Sequence, residues 1–152
     1  PTRKFVTKFI EEKVDLVLHC GDIVAPFMWK PFEDLKKSNI PLHAVFGNND
    51  GERAGLKKIF SKVCQMEGEF YETEIDGKKV CMFHHLSPNM VEALAKSSEY
   101  DVILKGHTHE RLYKKIGNTL VVNPGEACGL LSGKPSAAII NLNTMNVDFL
   151  EL

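Results

Sequence analysis

The sequence predicts an α/β fold in which sheets are covered by helices. Short apolar runs alternate with amphipathic stretches in the first part of the chain, and several of these runs end at a loop led by glycine. Two-residue turns at Asp76-Gly77 and Gly117-Asn118 then indicate hairpins. A length of 152 residues suits one domain with a single sizeable core. We therefore assign residues 1–152 to one domain.

Each predicted element follows from its local pattern. Apolar residues at helical spacing indicate helices, and continuous short apolar runs indicate strands that are buried on both faces. The second helix is expected to be irregular, because Pro26 and Pro31 cannot both lie inside a regular one. Ser87 followed by Pro88 is typical of a helix start. In chain order we predict helix 5–10, strand 15–18, helix 27–35, strand 42–46, helix 56–63, strands 70–75 and 79–83, helix 88–94, and strands 100–104, 111–116, 119–122, 137–142 and 146–150.

The composition excludes several classes of function. With 43% hydrophobic and 26% charged residues the chain has an ordinary globular composition, and no apolar run is long enough to span a bilayer. A net charge of −1 without a block of Lys or Arg gives no electrostatic footprint for nucleic-acid binding. Cys20, Cys64, Cys81 and Cys128 are widely spaced and contain no C-x-x-C pair, which predicts buried, reduced thiols and a cytoplasmic protein.

Side chains that bind metals follow four of the predicted strands. They are Asp22, Asn48, His84, and His107 with His109. Because functional groups gather beyond the carboxyl ends of strands in α/β sheets, we expect all five to converge on one edge. Carboxylate, amide and imidazole together suit a divalent first-row metal. If Gly106 to His109 is extended, the two histidines take alternate positions around Thr108, which would permit them to bind different ions.

Each of these residues taken alone has a simpler interpretation. An aspartate after glycine is often a turn former, the run Asn48-Asn49-Asp50 is ordinary turn chemistry, and a histidine at a strand end is often only hydrogen-bonded. The coincidence of position favours the metal hypothesis, since every candidate lies directly after a strand.

The motifs Gly21-Asp22, Gly47-Asn48-Asn49-Asp50, His84, Gly106-His107-Thr108-His109 and Asn123-Pro124-Gly125, in this order, resemble the calcineurin-like metallophosphoesterase superfamily, in particular its small single-domain phosphodiesterases. The resemblance implies a four-layer α/β/β/α sandwich with a dinuclear metal centre at the sheet edge.

The same resemblance implies roles for the candidate residues. Asp22 would bridge the two metals, Asn48, His84 and His107 would complete one site, and His109 would bind the other metal. Asp22, Asn48 and His84 would thereby be catalytic. Manganese is the favoured metal, with nickel, iron, cobalt and zinc left open. The implied reaction is hydrolysis of a small phosphodiester by a metal-bridging hydroxide, because coordination lowers the pKa of water to about 7.

The sequence departs from the family pattern in three places. The family's first motif, Asp-x-His, would precede the first helix, so we expect the natural protein to continue upstream by roughly ten to fifteen residues, a strand and a loop. Without that motif the metal of His109 keeps only Asp22 and His109. Asn49 stands where many relatives carry a proton-donating histidine, which leaves Asp50 as a turn residue or a partner of a ligand. His85 replaces a usual glycine, and its role stays open.

A different class of function is also consistent with the resemblance. The retromer subunit has the same fold and acts by binding proteins, so a non-catalytic scaffold is the alternative to an enzyme. The ligating type of all five candidates favours the enzyme. A homo-oligomer is left open, and the sequence does not indicate the physiological substrate.

Overall fold

Two layers of strands face each other across an apolar interior in the computed structural model, which describes residues 1–152. The helices are α1 (Thr2–Glu11), a 3₁₀ helix (Pro26–Phe32), α2 (Glu33–Lys37), α3 (Arg53–Phe60) and α4 (Pro88–Lys96). The strands are β1 (Val17–His19), β2 (Leu42–Ala44), β3 (Gln65–Met66), β4 (Phe70–Ile75), β5 (Lys78–Phe83), β6 (Val102–Lys105), β7 (Arg111–Ile116), β8 (Thr119–Pro124), β9 (Ser136–Asn141) and β10 (Asn146–Glu151).

The strands form three sheets. Strands β1, β2 and β3 are parallel and lie in that order. A five-stranded sheet has the order β4-β5-β6-β8-β7, with β5, β6 and β8 parallel and both outer strands antiparallel to their neighbours. Strands β9 and β10 pair as a separate antiparallel hairpin. The parallel strands β1 and β2, and likewise β5 and β6, therefore end at common edges.

The alternation of side chains along β5 separates two apolar layers. Val80 and Met82 point into the cluster between the sheets, which β9 and β10 also cover. Cys81 and Phe83 point the other way and pack with residues of α4. A third cluster lies between α1, α2, α3 and the β1–β3 sheet. The layer order is thus α/β/β/α, which confirms the predicted fold class.

Local sequence signals account for most helix boundaries. Ser87 caps α4 as predicted, since its side chain accepts a hydrogen bond from the Met90 N–H at 3.4 Å, and Pro88 occupies the first turn. The two prolines restrict residues 26–32 to a 3₁₀ helix, which confirms the expected irregularity. None of the helices combines the length and apolar character that crossing a lipid bilayer requires.

Two features differ from the sequence-based expectation. Strand β3 is too short to leave a pattern, and it exists because its backbone pairs with β2. Cys20, Cys64 and Cys81 are buried free thiols, but the prediction of burial is wrong for Cys128, which is exposed. The reason is that Cys128 lies in the surface loop that connects β8 to β9 rather than in either sheet.

Candidate metal centre

The ends of four strands bring the candidate ligands together. Asp22 follows β1, Asn48 follows β2, His84 follows β5 directly, and His107 follows β6. The two sheets meet at this edge, where His84 Nδ1 lies 2.7 Å from the carbonyl oxygen of Cys20. Four loops that are distant in sequence therefore share one site.

Four donor atoms converge on one point. Asn48 Oδ1 lies 2.9 Å from His84 Nε2 and 2.9 Å from His107 Nδ1. His84 Nε2 lies 3.2 Å from Asp22 Oδ2 and 3.3 Å from His107 Nδ1. No three His, Cys, Asp or Glu side chains form a metal-binding group by themselves. The Asn48 amide oxygen is the atom that links the two imidazoles into one set.

The chemistry of this donor set fits a divalent cation. The Cys20 carbonyl can only accept a hydrogen bond, so Nδ1 of His84 carries a proton, and in the neutral form of the ring Nε2 would offer its lone pair to the site. That lone pair faces the oxygens of Asn48 and Asp22, which also carry lone pairs. The separations of 2.9 to 3.3 Å between these atoms would suit donors that share one divalent cation.

Asn49 and Asp22 are joined by two hydrogen bonds. The backbone N–H of Asn49 donates to Asp22 Oδ1 at 2.8 Å, and its side-chain amide donates to Asp22 Oδ2 at 2.8 Å. Asn49 therefore fixes the orientation of the Asp22 carboxylate. This contact uses the side chain that stands where many relatives have a proton-donating histidine.

Asp50 stabilises the two loops that carry Asp22 and Asn48. It is only 2% exposed. Its Oδ2 accepts from the N–H of Gly47 at 2.7 Å and of Asp22 at 3.0 Å, and its Oδ1 accepts from the N–H of Val24 at 2.7 Å. The Asp50 side chain thus stabilises the loops of Asp22 and Asn48 through their backbones. This agrees with the expectation that Asp50 is a partner of a ligand.

The loop around His107 has an unusual backbone. His107 and His109 both have left-handed conformations, with φ of 72° and 60°. The expectation of an extended segment is therefore wrong for Gly106 to His109. The cause is the side-chain amide of Asn123, which donates to the Gly106 carbonyl at 2.9 Å and to Thr108 Oγ1 at 3.0 Å and so curls the loop.

His107 is surrounded by other imidazoles. Desolvation by its neighbours, followed by the positive charge that His85 and His84 can carry, lowers its pKa below the usual value. The ring of His85 is exposed and lies 4.2 Å from that of His107 between ring centroids. A lowered pKa favours the neutral ring, which is the form that binds metal ions.

His109 faces a different partner from the other candidates. Its Nδ1 lies 3.5 Å from Glu126 Oε2 and has no hydrogen-bond partner although the atom is buried. Its ring also borders an open pocket of about 530 Å³ lined by Arg111, Ser132 and Lys134. The structure therefore brings Asp22, Asn48, His84 and His107 together, whereas the contact of His109 is with Glu126.

The chain is similar to known proteins in sequence and in fold. The family model of the calcineurin-like phosphoesterase superfamily domain matches residues 1–145, which include the whole donor set. The chain belongs to this superfamily. Within the calcineurin-like phosphoesterases, a phosphodiesterase of Methanocaldococcus jannaschii is 40% identical over 91% of this chain and 83% of its own length. A probable metallophosphoesterase of Methanothermobacter thermautotrophicus is 24% identical over 89% and 73%.

Two solved structures have the same architecture as this chain. An archaeal phosphodiesterase superposes with a TM-score of 0.90 at 38% identity, over 99% of this chain and 91% of that one. A mutant of Vps29 from Entamoeba histolytica superposes with a TM-score of 0.68 at 17% identity, over 99% and 89%. The second similarity is one of fold alone.

Three residues near this calcineurin-like centre have structural roles that their sequence patterns did not indicate. Asp50 accepts three backbone hydrogen bonds, Asn123 curls the His107 loop, and Glu126 faces His109. Asn123 belongs to the Asn123-Pro124-Gly125 motif but is not a candidate ligand. For Glu126 the only signal in the sequence is its position directly after that motif.

Gly47 is required by the close approach of the two ligand loops. A Cβ atom there would lie 2.1 Å from Asp22 Oδ1 and 2.4 Å from the Asp22 backbone nitrogen. We expect Gly47→Ala to weaken Mn²⁺ binding and to lower any metal-dependent turnover by about 10²-fold, the effect of a misplacement of roughly 1 Å. Gly51→Ala is the matched control, since a Cβ at Gly51 meets no atom within 4 Å. Titration calorimetry checks both variants, and equal Mn²⁺ affinities would refute the expectation.

Proposed function

We propose that this chain is a metal-dependent phosphodiesterase. The observation that carries the proposal is the convergence of Asp22 Oδ2, Asn48 Oδ1, His84 Nε2 and His107 Nδ1 on one point at the edge of two sheets. Membership of the calcineurin-like superfamily and the 40% identity to an archaeal phosphodiesterase support it.

We assign Asp22, Asn48 and His84 as catalytic residues. These three, together with His107 and His109, are the proposed metal ligands. Asp22 is the only carboxylate of the set, so it would supply the negative charge for bound divalent cations. Asn48 adds an oxygen donor without further negative charge, which keeps the site attractive to a phosphate. His84 and His107 offer neutral nitrogens, and a bound divalent cation would supply Lewis-acid charge and lower the pKa of a coordinated water.

The leaving group is expected to depart without a histidine acid at position 49. Both donor groups of Asn49 are used on Asp22, and an amide cannot deliver a proton at neutral pH. General acid catalysis is typically worth about 10²–10⁴-fold. We therefore propose that the enzyme prefers diesters with good leaving groups, whose oxygens need no protonation. A small substrate is consistent with the open site.

We also propose manganese as the metal and the cytoplasm as the compartment. Mixed nitrogen and oxygen donors without a thiolate suit manganese, with nickel, iron, cobalt and zinc as alternatives decided by availability. Three buried free cysteines and the absence of any disulfide support a reducing, cytoplasmic setting. We leave a homo-oligomer open, since its assembly would not change the donor set.

Hydrolysis of bis(p-nitrophenyl) phosphate tests the proposed function. We expect release of nitrophenolate by the purified chain in the presence of Mn²⁺ or Ni²⁺, loss of that release after EDTA treatment, and recovery when the metal is added back. p-Nitrophenyl phosphate, a monoester, serves as the matched substrate. A metal-loaded, folded protein that leaves the diester intact would overturn the proposal.

The same experiment separates the scaffold alternative. The similarity to Vps29 is one of fold at 17% identity and says nothing about binding partners of this chain. All four converging donors keep ligating side chains, which supports the enzyme. Metal binding without turnover of either ester would favour the scaffold.

A further inference from the structure

Glu126 is a buried acid whose carboxylate has an unusual set of partners. Only 7% of the residue is exposed. Its two oxygens accept from the N–H of Ser132 at 2.7 Å, from the N–H of Leu131 at 3.1 and 3.2 Å, and from the thiol of Cys128 at 3.0 Å. These bonds fix the carboxylate within the loop between β8 and β9, so its position does not depend on His109.

The hydrogen bonds also determine the charge of this acid. Burial by itself raises the pKa of Glu126, but the bonds from Cys128, Ser132 and Leu131 outweigh it and lower that pKa below its usual range. Donors at both oxygens are the geometry that favours the ionised carboxylate, which can only accept hydrogen bonds from its neighbours.

His109 needs such an acceptor. Its Nδ1 is buried, has no hydrogen-bond partner, and lies 3.5 Å from Glu126 Oε2. A buried ring nitrogen without a partner is destabilising, and the Glu126 carboxylate lies 3.5 Å from this one. Because a carboxylate can only accept a hydrogen bond, this arrangement favours the tautomer that carries its proton on Nδ1.

We propose that Glu126 is the positioning residue of His109: its carboxylate takes the hydrogen bond from Nδ1–H, which leaves the Nε2 lone pair free to bind a divalent cation. The inference rests on the proposed function, because it deepens the role of His109 as a ligand. It parallels the contact in which the Cys20 carbonyl fixes His84, with a carboxylate in place of a carbonyl. Such partners orient the ring and raise the basicity of the ligand nitrogen.

The tautomer can be measured without turnover. We expect ¹⁵N-edited NMR of the metal-free protein to show His109 protonated at Nδ1, and Glu126→Gln to lose this preference. On titration with Zn²⁺, which leaves the spectra undistorted, His109 Nε2 should shift in the native protein, and its apparent affinity should fall by about 10–100-fold in Glu126→Gln.

Glu110→Gln is the matched control for the change of an acid to an amide. Glu110 is an exposed acid next to His109 in sequence and makes no contact with the His109 Nδ1 atom. This variant should keep both the His109 tautomer and the Zn²⁺ affinity. An Nε2–H ring in the native protein, or equal behaviour of Glu126→Gln and Glu110→Gln, would overturn the proposal. Absence of phosphodiester hydrolysis with the tautomer as expected would instead count against the proposed function alone.

Discussion

Asp22→Asn is expected to lower Mn²⁺-dependent hydrolysis of bis(p-nitrophenyl) phosphate on the order of 10³-fold. The substitution removes the only carboxylate of the donor set. Charge stabilisation by metals is worth several kcal/mol, and each 1.4 kcal/mol corresponds to about tenfold in rate. Asparagine is preferred to alanine for this test because Asp22 has a left-handed backbone, with φ of 57°, which asparagine tolerates.

The fold should survive this change. Asn can keep one oxygen as the acceptor of the Asn49 backbone N–H, so the melting temperature should change little. Asp34→Asn is the matched control, because Asp34 is an exposed carboxylate on α2 that pairs with Lys37. Kinetic assays and circular dichroism on both variants check the prediction. Turnover of Asp22→Asn equal to that of Asp34→Asn would refute the proposed role of Asp22.

Asp50→Ala is expected to have the largest effect on stability. The change leaves the N–H groups of Asp22, Val24 and Gly47 without their acceptor. A hydrogen bond to a charged group contributes about 1.5–3 kcal/mol, and we expect a combined loss of roughly 3–5 kcal/mol. For a chain of this length that corresponds to a fall in melting temperature of roughly 10 °C.

The same variant should lose metal affinity although it removes no donor atom. Val24 has φ of 73°, a strained conformation for a β-branched residue, and the bond from its N–H to Asp50 helps to hold it. Release of that strain would move Asp22 away from His84. Asp50→Asn keeps one accepting oxygen and should fall between native and Asp50→Ala in both thermal unfolding and Mn²⁺ titration. Unchanged Mn²⁺ affinity in Asp50→Ala would contradict a supporting role.

Much of the fold follows from local patterns in the sequence. The apolar runs that became β2, β5 and β6 were predicted within a few residues, since a strand buried on both faces needs a continuous apolar stretch. The Ser87-Pro88 start of α4 was also predicted. Strand β3 was not, because two residues carry no period, and only pairing with β2 defines it.

The residues that converge at the candidate site could be predicted from the sequence, but most of the contacts between them could not. Asp22, Asn48, His84 and His107 converge because parallel strands end at one edge, a rule that needs only the order of elements. The contacts of Asp50 join residues 26 and 28 positions apart, and no local signal indicates which backbone groups a buried acid will bind. The assignment of all five residues as metal ligands stays a prediction.

By itself the sequence determined the alternation of helices and strands, the four-layer class through its resemblance, and the position of each candidate ligand after a strand. These are properties of neighbouring residues, for which local periodicity is sufficient. Only the tertiary structure decided that His84 is fixed by Cys20, that the His107 loop is curled by Asn123, and that His109 faces Glu126. Those relations join loops from different strands, so they depend on how two sheets pack against each other.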